Sequence, residues 1–525
     1  MSKSRLYMRN AAANWLGYAA NIVVMLLLSR LVVHSLGKTG YGVWSLLMTL
    51  TGYLGLAELG VRVSTGRYVN YYIGRGEQDK VDKVVSTSMV FCTLISLVVF
   101  AAALIIGTFF HELFPKTPAS LADEAFAVLM MTALNVWLGF MGTLFGQLLR
   151  ARNRFDLRSL AMVITLLVRA VGTWIVLKRG GGLVELAEVL VLSSGVSFLL
   201  FVAFTRWKGA PARIALSLFD WQTLKETFRY GIWAFMQNIS SRIISCTDVV
   251  VIGLLLKIED IAVYSIALSL IEYSTALVQQ LFSVLVPDVE QAAGRDDKTA
   301  LAGYMLNGTR VTLMLAVPLL VGLMTMGDDF IRIWLGPGFE RSGGVLIILA
   351  VTSLAGMLSW SPGMCLNAMG YVKINAAISG SEAVLNLVLS LAFVTLFKWD
   401  IYGVAAGTMV PAIGFSCILV TRLCYRKLGV PFGSVLTELV FPMLVTAAVF
   451  AAICLGWQAL LPVTSWGTFL LSLAVLATLY APLGLYAFLP AELRKALWTR
   501  IMARLGFAAD VQVGDVLPAQ TEERE

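Results

Sequence analysis

Six ionisable residues that could do chemistry stand inside otherwise apolar runs of the sequence. They are Arg30, Arg169, Arg242, Asp248, Glu272 and Glu382. Charged groups at membrane depth are costly and commonly mark a pathway for a solute or an ion. An arginine stays charged and donates paired hydrogen bonds to phosphate oxygens, so the basic residues could bind a phosphate-bearing solute. A buried carboxylate takes up a proton more readily than an exposed one, so the acidic residues could exchange protons.

Each of these residues also has a purely structural interpretation. An arginine can pair with a carboxylate on a neighbouring helix, and a carboxylate can accept hydrogen bonds that fix helix packing. Arg30 lies near the end of its apolar run, where its side chain could reach the membrane surface. Arg242 and Asp248 are six residues apart, about 120° around a helix, so they make a poor pair with each other.

The composition of the 525-residue chain indicates what positions these residues. Hydrophobic residues make up 58% of the chain and charged residues only 14%, and the mean hydropathy is +0.81. A soluble protein carries about 25% charged residues, so a soluble fold is excluded. The apolar runs are also much longer than the alternating strands of an outer-membrane barrel. We therefore expect an all-α, polytopic membrane protein.

Fourteen apolar runs are long enough to cross a bilayer as helices, which takes about 20 residues. We place them at 13–34, 42–61, 86–108, 124–147, 159–177, 185–205, 230–255, 262–286, 308–326, 344–368, 374–397, 402–420, 438–457 and 466–489. The first run follows three basic residues, but no small-residue cleavage site comes after it. We interpret it as a retained helix rather than a signal peptide.

The distribution of Lys and Arg predicts the orientation of these spans. Of the 40 basic residues, 29 lie in the two termini and in alternate connections, which begin with 62–85 and 148–158. Basic residues concentrate in cytoplasmic loops, so both termini are predicted to be cytoplasmic. The net charge of +8 follows from this topology, and it gives no reason to expect a nucleic-acid partner.

The two halves of the sequence resemble each other at a shift of 220 residues. The aligned pairs include 43–50 with 263–270, Tyr53 with Tyr273, Gly74 with Gly294 and Gly107 with Gly327. Six spans separate the copies, so both copies have the same orientation in the membrane. This is the arrangement of parallel repeats, and it predicts two six-helix lobes followed by two further helices.

We assign residues 1–206 to an N-lobe, 207–229 to a cytoplasmic linker between the lobes and 230–420 to a C-lobe. Residues 421–489 form the two additional helices, and 490–525 form a polar cytoplasmic tail. Parallel lobes are typical of transporters that bind their substrate between the lobes and rock around it. The alternative is an old gene duplication that has no such role.

Several motifs then resemble a known family. They are Ser29-Arg30-Leu31, 36–44, 55–61, Arg67-Tyr68-Val69, 329–336 and 401–407. In order and spacing they resemble the polysaccharide transporter family, the Wzx-type flippases of the multidrug/oligosaccharidyl-lipid/polysaccharide exporter superfamily. The resemblance covers the chain up to about residue 490. It implies a flippase of the bacterial inner membrane that carries a polyprenyl-pyrophosphate-linked oligosaccharide outward for O-antigen, capsule or exopolysaccharide assembly. It also implies polysaccharide assembly proteins, such as a polymerase, as further partners.

Under this interpretation Arg30, Arg169 and Arg242 line a cavity between the lobes and hold the diphosphate. Arg67, in the family-like stretch that follows span 2, is a further candidate for binding the substrate. Asp248, Glu272 and Glu382 are candidates for coupling to an ion. Amides within the spans could hydrogen-bond sugars, although such groups more often join helices; they include Gln237, Gln279, Asn367 and Asn375.

Two other functions remain open at this point. One is a multidrug or cation antiporter on the same fold, and the other is a polytopic glycan polymerase or ligase. The glycine run at 180–182 lacks the Lys-Ser/Thr that follows in a nucleotide-binding loop, so ATP hydrolysis is not expected. Two histidines and six cysteines without ligand spacing predict no metal site, free thiols and no cofactor.

Overall fold

The computed structural model describes residues 3–58, 61–152, 154–207, 213–282, 285–490 and 494. Within these ranges the chain is helical and contains no β-strand. The helices of the first half are α1 (Lys3–Gly55), α2 (Val61–Gly74), α3 (Gln78–Thr108), α4 (Phe110–Leu113), α5 (Ala119–Ala151), α6 (Phe155–Lys178) and α7 (Leu183–Trp207).

The second half continues the same pattern. Its helices are α8 (Trp221–Leu255), α9 (Ile258–Phe282), α10 (Val286–Gly294), α11 (Lys298–Leu335), α12 (Arg341–Met357), α13 (Trp360–Ala368), α14 (Val372–Thr395), α15 (Asp400–Pro411), α16 (Thr421–Leu428), α17 (Gly433–Val435), α18 (Phe441–Leu460) and α19 (Trp466–Phe488). Two stretches between them are π-helical, Ala412–Val420 and Leu436–Val440.

Thirteen helical stretches of the described chain are long and apolar enough to cross a membrane. The first of them is 35 residues long and includes Gly37, whose φ of 68° breaks the helix. A residue with a side chain is strained at this positive φ, so glycine suits the position. The break divides α1 into two spans, α1a before Gly37 and α1b after it. The predicted all-α fold with about 14 transmembrane helices is confirmed.

The internal repeat is visible in the helix boundaries. α3 begins at Gln78 and α11 at Lys298, whereas α2 ends at Gly74 and α10 at Gly294, each pair 220 residues apart. The glycine pair predicted from the sequence shows the same packing in both halves. A Cβ added at Gly107 would lie 2.9 Å from Phe126, and one at Gly327 would lie 2.3 Å from Leu346, so the contacted positions are again 220 apart. The two parallel-repeat lobes are therefore confirmed.

The bundle buries a core and leaves apolar side chains on its outside. Trp334 and Tyr264 are among the largest fully buried side chains. By contrast, Leu97 is 61% exposed and Leu199 is 64% exposed. Large apolar side chains on the perimeter of a soluble protein would need a partner, whereas here the hydrocarbon of the bilayer covers them. The chain is a multi-pass membrane protein.

The last two spans pack on the C-lobe. α18 and α19 contact each other and α11. The hydroxyl of Tyr480 in α19 donates to the carbonyl of Met314 in α11 at 2.9 Å. The side-chain amide of Gln458 in α18 donates to Asp329 of α11 at 3.1 Å. These helices therefore follow the repeat as an addition to it.

We call the end of the bundle that carries the connections 62–85, 148–158 and 206–229 the basic end. There the helix α8 begins at Trp221, so the predicted linker 207–229 includes its first nine residues. Asp220 fixes this start, because its carboxylate accepts from the backbone N–H of Thr223 at 2.7 Å. The predicted polar tail 490–525 lies outside the described residues, apart from positions 490 and 494.

Candidate functional site

A cavity of about 400 Å³ lies between the two lobes, and we call it the central cavity. Its wall comes from α1a, α1b, α6 and α7 of the N-lobe and from α8 and α9 of the C-lobe. On α1a the lining residues are Met25, Leu28, Ser29 and Val32. They recur every three or four positions and so form one face of the helix. This is the location expected for a site shared by two parallel repeats.

Arg242 of α8 projects into the central cavity and is classed as exposed. Its guanidinium lies beside Gly52 of α1b, where an added Cβ would be 3.6 Å from the Cζ atom. Glu272 of α9 also lines the cavity and interacts electrostatically with Arg242, but the two do not form a direct ion pair. Arg242 therefore lies against glycine backbone, with its hydrogen-bonding edge available to a ligand.

Arg169 of α6 reaches the same cavity from the N-lobe. It is half-buried, and the phenol of Tyr273 on α9 lies within electrostatic reach of it. Among the described residues, neither Arg169 nor Arg242 forms an ion pair with a carboxylate. Ion pairs that join separate helices lie elsewhere: Arg341 at the start of α12 pairs with Asp260 at the start of α9 at 2.6 Å. The interpretation of these two arginines as packing pairs finds no support.

The charge on the cavity wall is therefore net positive. Two guanidinium groups face one carboxylate, and the remaining polar side chains of the lining are hydroxyls, one thiol and the indole of Trp44. A guanidinium in a low-dielectric site attracts an anion more strongly than it would in water. The arrangement is suited to a phosphate-bearing solute, which can accept paired hydrogen bonds from each arginine.

Arg30 does not line this cavity in the structure, although the sequence predicts that it does. Its neighbours Ser29 and Val32 are in the wall, but Arg30 is not. One residue along a helix turns a side chain by about 100°, and this step carries Arg30 off the lining face of α1a. Its backbone carbonyl accepts a hydrogen bond from the protonated Nδ1 of His34 at 3.0 Å.

Arg67 lies in a different cavity. This pocket of about 640 Å³ is at the basic end of the N-lobe, and we call it the basic pocket. Its lining combines Arg67, Arg150 and Arg158 with the apolar side chains of Met162 and Phe201. The structure therefore separates Arg67 from the two arginines of the central cavity.

Asp248 is buried in helix packing and does not line the central cavity. Its carboxylate accepts a hydrogen bond from the hydroxyl of Tyr264. It also accepts from the hydroxyl of Thr408 at 2.9 Å, and Thr408 in turn accepts from the amide of Asn386 at 2.7 Å. This network joins α8 to α9, α14 and α15, so the geometry favours a packing role.

The other two carboxylates differ in their access to solvent. Glu382 of α14 is buried and accepts from the hydroxyl of Ser416 at 2.6 Å. Glu272 is classed as exposed, and it is the one of the three predicted carboxylates that lines the central cavity. Proton exchange with a solute in this cavity is therefore possible for Glu272 by direct access.

Some residues of the site were not identified from the sequence. Gly52 supports Arg242, and Tyr41 and Tyr273 face the cavity from α1b and α9 within electrostatic reach of each other. Glycine and tyrosine are common in apolar helices, so their residue types alone do not indicate a binding site. The repeat alignment of Tyr53 with Tyr273 was the one available signal, and Tyr53 instead bonds Thr247 at 3.0 Å.

Hydrogen bonds join the two lobes at the end opposite the basic end. The hydroxyl of Thr39 donates to Glu259 at 2.8 Å, and these two residues are 220 apart, at equivalent positions of the repeat. Lys38 donates to the carbonyl of Gly338, and the indole of Trp334 donates to the carbonyl of Leu26 at 2.9 Å. The pseudo-twofold axis therefore passes close to Thr39.

Comparison with known proteins decides the family. Residues 27–342, more than half of the chain, match the family described as polysaccharide biosynthesis protein. The chain belongs to the polysaccharide biosynthesis protein family. The matched region contains the whole N-lobe from Leu27 onward and every arginine discussed above. The resemblance of the sequence motifs to polysaccharide transporters is confirmed.

Two known proteins are similar to this chain along most of their length. The "Uncharacterized membrane protein EpsK" of Bacillus subtilis is 23% identical over 487 residues, which cover 90% of this chain and 93% of that protein. The "Putative O-antigen transporter" of Shigella flexneri is 22% identical, and the match covers 79% of this chain and 98% of that protein.

Solved structures share the fold at low sequence identity. An inward-facing multidrug resistance MATE family transporter of the MOP superfamily superposes with a TM-score of 0.68 at 15% identity and covers 78% of this chain and 94% of its own. The lipid II flippase MurJ in an inward closed conformation has a TM-score of 0.66 at 15% identity, with 93% of this chain and 100% of its own covered. This chain therefore has the same fold as these two proteins.

Proposed function

We propose that this protein is a flippase. It carries a polyprenyl-pyrophosphate-linked oligosaccharide unit across the bacterial inner membrane, from the cytoplasmic to the periplasmic leaflet, for the assembly of a surface polysaccharide. The lobes rock around the central cavity and expose it to one side at a time. Polysaccharide assembly proteins, such as a polymerase, would receive the unit.

The observation that carries this proposal is the pair of arginines in the central cavity. Arg169 and Arg242 face the same space from different lobes and have no carboxylate partner within the described residues. A charge at membrane depth without a partner is costly, and a ligand of opposite charge would compensate for it. The diphosphate of a lipid-linked glycan is such a ligand, and its oxygens match the guanidinium geometry.

We propose that the basic end faces the cytoplasm, in keeping with the 29 basic residues in its connections and termini. The contacts around Thr39 and Glu259 then close the periplasmic end. The substrate would enter from the cytoplasmic leaflet, and Arg67 in the basic pocket would attract its diphosphate there. For Arg30 we propose contact with headgroups of the opposite leaflet. We propose that the two lobes that move in this cycle are residues 1–206 and residues 230–420.

We further propose that a carboxylate takes up and releases a proton during the transport cycle. Glu272 is the first candidate, because it lines the central cavity next to Arg242. Binding of the diphosphate to Arg242 would weaken its attraction to Glu272 and favour proton uptake by that carboxylate. Asp248 and Glu382 are second candidates, since both are buried and hydrogen-bonded to hydroxyls.

The test is made in cells that lack the gene. Lipid-linked oligosaccharides are extracted and weighed by mass spectrometry, and their leaflet is determined with an impermeant sugar-modifying enzyme. A completed unit that accumulates on the cytoplasmic leaflet, together with loss of one surface polysaccharide, is the expected result. The mass of the unit identifies the glycan. Absence of accumulation with intact surface polysaccharide contradicts the proposal.

The second candidate function is a cation or multidrug antiporter. The fold shared with a multidrug transporter and the carboxylate of Glu272 in the cavity favour it. The two arginines oppose it, because a cationic drug would meet like charge on the wall. Transport of a cationic dye against a proton gradient by the purified protein in vesicles would support the antiporter instead.

A further inference from the structure

A second polar cavity lies in the C-lobe, at the basic end. Its volume is about 490 Å³, and helices α8, α9, α10, α13 and α14 and the π-helical stretch Ala412–Val420 form its wall. Four amide side chains face it, Gln237, Gln279, Asn367 and Asn375. We call it the amide cavity.

The amide cavity is the repeat counterpart of the basic pocket in the N-lobe. The lining positions that correspond at a shift of 220 are Gly66 and Val286, Asn70 and Glu290, Thr143 and Gly363, and Gln147 and Asn367. A cavity at this place is thus a property of the repeat. Its chemistry, however, differs completely between the two lobes.

The N-lobe pocket is cationic, whereas the amide cavity has no lysine or arginine among its described lining residues. The counterpart of Arg158 is Ile378, and that of Arg150 is Gly370. Amides, serines and one carboxylate, Glu290, take their place. Without a cation the cavity cannot hold a phosphate well, and a single carboxylate is a weak site for a cation.

Two departures from the regular repeat converge on this cavity. The helix α5 is continuous through Ala119–Ala151, but its C-lobe counterpart is broken into α12 and α13, and Ser359 and Trp360 at the break line the cavity. The π-helical stretch also has a regular α-helix, α7, as its counterpart, and its Ser416 lines the cavity. Such local irregularities often occur where function requires a special geometry.

Hydrogen bonds hold the amides in fixed orientations. The amide nitrogen of Asn375 donates to the side-chain oxygen of Asn367 at 3.0 Å, and the side-chain nitrogen of Asn367 donates to the side-chain oxygen of Gln237 at 3.4 Å. Each amide offers two donors and two acceptor sites, so this chain leaves several of them unused. Gln279 is exposed and has no hydrogen bond within the described chain. Groups that both donate and accept are suited to sugar hydroxyls, and Trp360 adds an aromatic surface.

The amide cavity lies next to the central cavity along two helices. Gln237 precedes Arg242 by five residues on α8, a rise of about 7.5 Å and a rotation of about 140°, so the two side chains leave α8 on different faces. Gln279 follows Glu272 by seven residues on α9, two helical turns along the same face and about 10 Å away. Both steps lead from the central cavity toward the basic end. A glycan whose diphosphate lies at Arg242 would therefore extend its sugars into the amide cavity.

We propose that the amide cavity is the saccharide subsite of this protein. It binds uncharged, hydroxyl-rich sugar residues, while the arginines of the central cavity hold the diphosphate. This inference rests on the proposed flippase function and divides recognition between two chemically distinct places. Sequence differences in the amide cavity would then set which glycan a family member accepts.

The test measures binding to the purified full-length chain in lipid nanodiscs by native mass spectrometry. The two probes are undecaprenyl diphosphate, which carries no sugar, and the lipid-linked glycan fraction extracted from cells that lack the gene. The variants are Gln279→Leu and Ser379→Ala, two lining positions without a described hydrogen bond to the protein. Gln291→Leu on α10 is the matched control, because Gln291 is exposed and does not line the cavity.

We expect the wild-type protein to bind the glycan-bearing lipid more tightly than undecaprenyl diphosphate. Gln279→Leu should weaken binding of the glycan-bearing lipid about tenfold, and Ser379→Ala less, since each loses hydrogen bonds to hydroxyls. Binding of undecaprenyl diphosphate should stay unchanged in both variants and in Gln291→Leu. Arg242→Ala should weaken binding of both probes.

Three outcomes overturn the proposal in different ways. If the wild-type protein binds both probes equally and through Arg242, the saccharide subsite is refuted while the flippase function stands. If Gln279→Leu weakens both probes alike, the amide cavity has a structural role. If neither probe binds to the wild-type protein, the flippase proposal and the subsite fail together.

Discussion

Arg242 and Arg30 offer a comparison between two membrane arginines that differ in placement. Arg242 lines the central cavity beside Gly52, whereas Arg30 lies outside that wall although Ser29 next to it is included. The same substitution, Arg→Ala, removes the same charge from both positions. We expect Arg242→Ala to abolish most transport and Arg30→Ala to leave it nearly intact.

The magnitude follows from the hydrogen bonds that a guanidinium can make. A hydrogen bond to a charged group contributes about 1.5–3 kcal/mol, and Arg242 can donate two of them to one diphosphate. Because Arg169 remains in the cavity and holds part of the ligand charge, we expect a net loss of about 3 kcal/mol. This corresponds to a loss in affinity of roughly 100-fold. Arg242→Lys keeps the charge but loses the paired hydrogen bonds. Its affinity should therefore lie between those of the wild-type protein and Arg242→Ala.

Binding of undecaprenyl diphosphate to nanodisc-embedded protein is the direct assay, and complementation of the gene-deleted strain is the assay in cells. Protein level in the membrane must be measured for each variant, because an unfolded variant would also fail to complement. Equal losses for Arg30→Ala and Arg242→Ala would refute the reasoning, since placement in the wall would then not matter. Full activity of the double variant Arg169→Ala/Arg242→Ala would refute the cationic cavity itself.

Three further predictions concern two glycines of α1b and the residue that caps α8. A Cβ at Gly52 fits at 3.6 Å from the Arg242 guanidinium, so Gly52→Ala should be tolerated. The larger side chain of Gly52→Leu should displace the guanidinium. It should lower diphosphate binding as strongly as Arg242→Ala does. A Cβ at Gly42 would lie 2.3 Å from a carbonyl oxygen of α9, so Gly42→Ala should weaken the closed end by about 1–3 kcal/mol and open the cavity there. Hydrogen bonds from Thr223 hold the pKa of Asp220 below its usual value, so Asp220→Ala should lower the melting temperature at pH 7. That difference should shrink as the pH falls below about 4, because protonation removes the same hydrogen bonds from the wild-type protein.

Each of these predictions has its own control. For Gly52 the control is the comparison of Gly52→Ala with Gly52→Leu. Equal diphosphate binding by the two variants would show that the Arg242 guanidinium is free to move. Opening in Gly42→Ala is read from the reaction of Cys246, which lines the central cavity, with a membrane-impermeant maleimide. Gly55→Ala, where nothing lies within 4 Å of the added carbon, should leave that reaction unchanged. A Tm difference for Asp220→Ala that is independent of pH would argue against capping by the ionised carboxylate.

The membrane fold could be derived from the sequence because its driving forces are local. A run of about 20 apolar residues forms a transmembrane helix whatever its neighbours are, and basic residues mark one side of the membrane. The repeat was likewise visible at Gly107 and Gly327, because each glycine is needed for the same close contact in its own lobe. The six cysteines are free, as expected, and Cys417 is the one that is not fully buried.

The candidate site was predicted only in part. Arg169 and Arg242 could be named because a charge in an apolar run is conspicuous in any sequence. Arg30 looked equivalent to them, and only its rotation about the axis of α1a excludes it from the wall. Asp248 looked like a coupling residue, but Tyr264 and Thr408, which come from other helices, hold it in a hydrogen-bonded network.

The sequence by itself therefore determined the class of the protein, its number of spans, its parallel repeat and the residues that carry charge in the membrane. Each of these depends on composition or spacing along one helix. Only the tertiary structure decided which charges meet in one cavity. The direction in which a side chain projects depends on the rotation of its helix and on packing against helices that are distant in the sequence. The amide cavity shows this most clearly, since Gln237, Gln279, Asn367 and Asn375 come from four helices and become one surface only when the C-lobe folds.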